Sequence, residues 1–210
     1  MTIICLEGPS AVGKTTTCRL LSERFGAYIV PEVNAPFERP KDASATWCLE
    51  RQVDRWQIAV REQETHSFAV LDGDPFQPFW YNWTFGFDRW QSLESLIAFY
   101  RPLIEDGIIR FPDRYVLLTI AEAELRHRKD ADTTRSRRNF DSHLILGETL
   151  PRYFAAMADV VPGLVIALQA IDIETTAAII TVEVEHSSKV FANSLLLFDS
   201  MIGWFMANRS

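Results

Sequence analysis

Along the chain, short runs of apolar residues alternate with longer stretches in which apolar positions recur every three or four residues. Thr2 to Leu6 is a short β-branched run soon followed by glycine, which predicts a buried strand. A helix is predicted from Lys14 to about Arg24, with Gly26 as its stop signal. Ala27 to Pro31 forms a second strand. From Ser44 to about Thr65, Leu49, Val53, Trp56 and Val60 recur at the spacing of one helical face, with Gln52, Gln57 and Gln63 flanking that stripe. Phe68 to Leu71 is a third strand that runs into Asp72-Gly73-Asp74-Pro75, where glycine and proline end regular structure. Tyr115 to Ile120 and Leu164 to Leu168 complete a set of five strands. Further helices are predicted over Arg89 to Glu105, from Glu122 to Arg128, over Phe140 to Ala158 and over Glu174 to Glu185. The stretch PFQPFWYNWTFGFDRW, with Pro75, Pro78 and Gly86, reads as a short helix or an irregular loop. Strands alternating with helices predict an α/β fold of three layers, a five-stranded parallel sheet covered on both faces.

The tail departs from this rhythm. Val190 to Met206 is apolar enough to suggest a membrane, but Asn193, Ser194, Asp199 and Ser200 interrupt it, and a spanning helix needs roughly 20 apolar residues. Phe191, Leu195, Phe198, Ile202 and Phe205 share one helical face, which predicts a helix over about 188–210 that packs on the domain of residues 1–187 or in a dimer. The net charge of −7 argues against a protein that coats a nucleic acid polymer, so any bound anion must be met by a local basic cluster. Cys5, Cys18 and Cys48 show neither metal-ligand nor disulfide spacing, and no signal segment opens the chain, so a cytoplasmic location is expected.

The first strand-to-helix turn carries Gly8-Pro9-Ser10-Ala11-Val12-Gly13-Lys14-Thr15, a glycine, four residues, then Gly-Lys-Thr. Such a loop turns backbone N–H groups inward at an anion, those of Ala11, Val12 and Gly13 among them, and the helix N-terminus adds partial positive charge. Gly8 and Gly13 permit the turn, Lys14 reaches the β and γ phosphates, the Thr15 hydroxyl is placed to ligate Mg²⁺, and Thr16 to meet the α phosphate. A guanine-reading Asn/Thr-Lys-x-Asp segment is missing, which argues against a GTP switch. A ring ATPase would need a second helical domain.

Acidic residues stand after the second strand, at Glu32, and at the end of the third, at Asp72 and Asp74. A basic run follows later: Arg126, Arg128, Lys129, Arg135, Arg137 and Arg138. That order fits a small kinase, in which one carboxylate, Glu32 or Asp74, acts on the acceptor hydroxyl and Asp72 with Thr15 arranges Mg²⁺. Arg128, Arg135 and Arg138, in a lid at about 126–139, would then stabilise charge on the transferred phosphoryl group.

These pieces together resemble the P-loop nucleoside and nucleotide kinases, deoxynucleoside kinases and thymidylate kinases in particular. The carriers are GPSAVGKTTT, the glutamate of PEV, the helix segment CLERQVDRWQ, the strand end LDGDPF and the arginine lid RHRKDADTTRSRR, in that order over roughly residues 1–160. The resemblance implies ATP with Mg²⁺ as donor, Glu32 as the base on a sugar hydroxyl, Gln52 or Gln57 as an amide contacting a nucleobase, and lid arginines closing over phosphates. It also implies a homodimer, expected through residues 89–105 or the tail. Members of these families place an arginine directly after the acidic residue of the third strand, whereas this chain has Gly73. A neutral hydroxyl acceptor is therefore favoured over one that already bears phosphate.

The aromatic stretch from Phe76 to Trp90 is the natural place for a planar acceptor, with Phe76 and Trp80 as candidate contacts. His127 and His143 flank the basic run and read as solvated. The remaining alternatives are a monophosphate acceptor, a non-nucleoside alcohol such as an antibiotic, and a nucleotide-sensing protein with no transfer activity.

Overall fold

The computed structural model describes residues 2–131, 140–186 and 194–208. Strands β1 (Ile3–Glu7), β2 (Ala27–Val30), β3 (Phe68–Asp72), β4 (Arg114–Thr119) and β5 (Val165–Gln169) form one parallel sheet in the order β2-β3-β1-β4-β5. The order reverses direction at β1, and in open parallel sheets such a switch point opens a crevice at the carboxyl ends of the strands. Register brings Leu6 beside Asp72, so the ends of β1 and β3 are level.

Alternation along β1 divides the core. Ile3 and Cys5 face a layer built from α2 (Trp47–Glu62), α3 (Gln77–Phe85), α4 (Leu93–Glu105), α6 (Leu146–Val160) and α8 (Ser194–Ala207). Ile4 and Leu6 face α1 (Lys14–Phe25), α5 (Glu122–Ala131) and α7 (Ile173–His186). Cys5 and Cys18 are buried free thiols, and Cys48 is an exposed one.

The differences from the predicted elements have local causes. Helix α2 begins at Trp47 because Ser44 to Trp47 closes a turn, the Trp47 amide donating to the Ser44 carbonyl. Helix α4 begins after Ser92, whose hydroxyl accepts from the Ser95 amide at 3.1 Å as an N-cap. Residues 89–91 stay outside it. The helix expected over Phe140 to Ala158 opens as a 3-10 turn, Ser142–Ile145, before α6, a tightening common at helix ends. The aromatic stretch resolves into α3.

Helix α8 packs on its own domain. Leu197, Phe198, Met201, Ile202 and Phe205 are buried against α4 and α6, Trp83 donates its indole N–H to the Asn208 carbonyl at 2.9 Å, and Arg101 pairs with Asp199. The two segments expected to carry a dimer thus cover each other within one chain. Among the described residues, no helix is long and apolar enough to cross a membrane.

Candidate functional site

The glycine-rich turn leaves β1 and enters α1 without a side-chain cap, so the first-turn amides of the helix remain available to an anion. Ala11 adopts a left-handed conformation with φ 75°, and a Cβ at Gly8 would stand 2.5 Å from the Leu118 carbonyl oxygen. Only glycine fits at position 8. Val12 is buried, whereas Gly13, Lys14, Thr15 and Thr16 are partly or fully exposed along the loop and the first turn.

Lys14 donates to the Gly8 carbonyl at 2.6 Å and lies 3.9 Å from Glu7 Oε1. Glu7, the last residue of β1, is buried and was not singled out in the sequence. Its Oε1 accepts from the Gly8 amide and its Oε2 from the Asp74 amide, both at 2.9 Å. Burial pushes its carboxyl pKa up, while Lys14 and the two amides pull it back. One carboxylate therefore ties the donor loop to the turn after β3. No periodic or motif signal marks it; its place just before the glycine loop was the available clue.

Asp72 ends β3 and faces α1. Its Oδ2 accepts from the Thr15 hydroxyl at 2.7 Å, and its buried Oδ1 has no hydrogen-bond partner. A hydroxyl beside a carboxylate with an orphaned oxygen fits Mg²⁺, which takes one or two protein ligands and fills its remaining positions with phosphate oxygens and water. Among the described residues, no group of three or more His, Cys, Asp or Glu side chains that could hold an ion occurs.

Glu32 follows β2 and is exposed. A Cβ at Gly73, where φ is 92°, would lie 3.7 Å from Glu32 Cγ and 3.9 Å from Glu7 Oε2, so Glu32 and Glu7 flank this turn. The structure thus gathers Lys14, Thr15, Asp72 and Glu32 at the carboxyl ends of β1, β2 and β3.

Other expected site residues lie elsewhere. Asp74 is fully buried: Oδ1 accepts from the Phe76 amide and the Tyr115 hydroxyl, and Oδ2 from the Trp80 indole. Burial, with the charge of Glu7 adding to it, pushes its pKa up to about 7 against those hydrogen bonds. Enclosed on all sides, Asp74 has no access to an acceptor hydroxyl. Phe76 and Trp80, expected to touch the acceptor, are core residues, Phe76 stacking on Phe111 with ring centroids 4.1 Å apart. Gln57 is exposed and donates to the Ile108 carbonyl, away from the strand ends that carry the site. Gln52 is buried, donating to Gln77 and accepting from Arg55.

The exposed edge of the aromatic stretch is a different set. Tyr81 packs against Phe85 and Trp90, with centroids 4.7 and 5.3 Å apart, and its hydroxyl lies 3.1 Å from His143 Nε2. His143 is half-buried rather than solvated; desolvation lowers its pKa, and the charge of Lys14 lowers it further. His127 is exposed, as expected.

Of the lid arginines, Arg135 and Arg138 lie outside the described residues. Arg128 faces the glycine loop and the segment after β5. It donates to the carbonyls of Val12 (3.1 Å), Ala170 (2.9 Å) and Ile171 (3.1 Å) and pairs with Glu124, joining the glycine loop to the segment after β5. Arg126 is occupied by Glu122 and Asp141.

No established protein-family profile matches the sequence, and no curated protein matches it. Solved structures do. Deoxyadenosine kinase from M. mycoides with bound dATP aligns over 87% of this chain and 99% of its own, with a TM-score of 0.57 and 14% identity. The same kinase with the products dCMP and dCDP gives 0.54 at 14% identity, over 87% and 98%. Thymidylate kinase from Candida albicans gives a TM-score of 0.59 at 13% identity, over 90% of this chain and 93% of that one. The likeness is one of fold, a five-stranded parallel sheet with helices on both faces. The chain has the fold of the P-loop nucleoside and nucleotide kinases.

Proposed function

We propose that this protein is an ATP-dependent kinase that transfers the γ-phosphoryl group to a hydroxyl of a nucleoside-like acceptor. The observation that carries this reading is the meeting of two halves at one sheet edge. The loop with Lys14 and the Thr15–Asp72 pair make a donor site, and the exposed Glu32 stands across Gly73 from the buried Glu7. A pure nucleotide sensor has no use for the second half.

In this reading Lys14 faces the β and γ phosphates, the amides of residues 11–16 line the α and β phosphates, and Thr15 and Asp72 hold Mg²⁺. When bound, Mg²⁺ offsets charge on the phosphate oxygens. Glu32 accepts the proton of the acceptor hydroxyl while the hydroxyl oxygen bonds to the γ phosphorus, the bond from the γ phosphorus to the β–γ bridging oxygen breaks, and ADP leaves. Arg135 and Arg138 are proposed to meet the transferred group. Arg128, held by the Val12 and Ala170 carbonyls, is proposed to brace the donor side instead.

The acceptor plane is proposed to lie against Tyr81, Phe85 and Trp90, with His143 beside Tyr81. Gly73 in place of an arginine favours a hydroxyl over a monophosphate. A cytoplasmic location is proposed. A homodimer through the outer faces of α4 or α8, where Met206 is 64% exposed, is proposed; a single-chain mass in light scattering at micromolar concentration would remove that element. The kinase reading is tested by ADP release from ATP and Mg²⁺ across nucleosides, nucleoside monophosphates and hydroxylated antibiotics. Turnover is expected with nucleosides and lost in Lys14→Ala. No turnover with any acceptor, alongside tight ATP binding, would favour a sensor.

A further inference from the structure

Helix α2 carries one cation on its buried side. Arg55 is 1% exposed, and its guanidinium is spent on backbone. Nε donates to the Pro31 carbonyl at 2.7 Å; Nη2 donates to Asp72 at 2.8 Å, to Gly73 at 2.9 Å and, more weakly, to Val30 at 3.5 Å; Nη1 donates to Gln52. Gln52 in turn donates to Gln77 at 3.5 Å.

The identity of these carbonyls matters. Pro31 contributes the peptide group that leads into Glu32, and Asp72 contributes its own carbonyl. One rigid planar fork thus sets the backbone from which both working carboxylates depart. The segment after β2 and the end of β3, 41 residues apart in the chain, are held by one group.

Charge points the same way. The floor of the site holds Glu7, Glu32 and Asp72 against Lys14. Burial lowers the Arg55 pKa, while nearby Cys5, Asp72, Glu32 and Glu7 hold it up. Burying a guanidinium is costly unless its donors are met. Here they are met by the carbonyls of Pro31, Asp72 and Gly73, so the arginine both satisfies buried acceptors and ties the segment before Glu32 to the end of β3.

We propose that Arg55 is a positioning residue for phosphotransfer, fixing Glu32 and Asp72 relative to one another and supplying from α2 a buried positive charge in a chain that has glycine at position 73. This rests on the kinase reading above.

The test compares wild type, Arg55→Lys and Gln52→Leu as full chains. Thermal unfolding, calorimetric binding of ATP with and without Mg²⁺, and kcat and KM with the fastest nucleoside from the acceptor screen are measured. Lysine keeps the charge but cannot hold carbonyls of both β2 and β3 in one plane. Arg55→Lys is expected to bind ATP alone as wild type does, to need more Mg²⁺, and to lose about 100-fold in kcat, the cost of an ångström-scale misplacement of reacting groups. If kcat stays within twofold, or falls only in proportion to the folded fraction, the proposal is overturned.

Should Arg55→Lys fail to fold, Gln52→Leu removes only the Nη1 partner. It is expected to lower kcat about tenfold, the equivalent of one hydrogen bond, with ATP affinity unchanged; unchanged kcat overturns the proposal. If wild type transfers phosphate to no acceptor, the kinase reading fails separately. The Mg²⁺ dependence of ATP binding then decides: a shift in either variant supports the positioning of Asp72, and none overturns it.

Discussion

The Thr15 hydroxyl donates to Asp72 Oδ2 at 2.7 Å, and the other oxygen of that carboxylate is buried without a partner. An unpaired buried carboxylate oxygen is destabilising. The proposed Mg²⁺ would satisfy it.

Asp72→Asn should therefore separate stability from activity. Replacing the charge removes a desolvation cost, so thermal unfolding is expected at the same temperature or slightly higher. Phosphotransfer is expected to fall by about 100- to 1000-fold, as when one preorganised electrostatic contact is removed. A parallel loss of folding and activity would make Asp72 a structural residue.

Glu32→Gln should lower kcat by about 100- to 10,000-fold, the range of general-base contributions, with KM for ATP unchanged. Because Glu32 is exposed, unfolding should be unaffected. Retention of wild-type kcat would remove it as the base.

Much of the fold was legible because its signals are local. The five strands and the glycine loop follow from short runs and one motif, and Glu32 and Asp72 from their places at strand ends. Glu7 and Arg55 were not legible in that way. Each acts through backbone amides or carbonyls of distant segments, and no residue-type pattern records which carbonyl a guanidinium will find. Phe76 and Tyr81 show the converse limit. Proximity in sequence put both in one aromatic stretch, but the turn before α3 sends Phe76 into the core while α3 leaves Tyr81 at the edge.

That division is itself testable. Tyr81→Ala is expected to raise KM for the nucleoside about tenfold, as loss of about 1 to 1.5 kcal/mol of stacking would, with little change in stability. Phe76→Ala should instead destabilise the fold by about 3 to 5 kcal/mol. Denaturant unfolding of both variants beside their kinetics would show the two effects on different residues; equal effects on stability would contradict the assignment.

Asp74 predicts a pH dependence. Its folded pKa of about 7 lies above the ordinary aspartate value, so between the two the folded state holds a proton that the unfolded state has lost. Stability should then fall as pH rises through that window, by up to about 1.4 kcal/mol per pH unit, and level off above pH 7. Asp74→Asn should lack this component. Identical pH slopes of unfolding free energy in wild type and Asp74→Asn would refute the shift.

Arg128→Ala frees three carbonyls of the donor side. KM for ATP is expected to rise about tenfold, one to two lost hydrogen bonds, with kcat at saturating ATP nearly kept. A drop confined to kcat would place Arg128 on the transferred phosphoryl group instead.

The closure of α8 over α3 bears on the order in which the protein is made. Phe79 and Trp83 find Phe205 and the Asn208 carbonyl only at the far end of the chain. During synthesis the glycine loop, the sheet and Glu32 all precede that end. A nascent chain therefore has its glycine loop and Glu32 in place long before the partners of Phe79 and Trp83 on α8 exist, and until residues 194–208 are made the contacts of these rings with Phe205 and the Asn208 carbonyl cannot form.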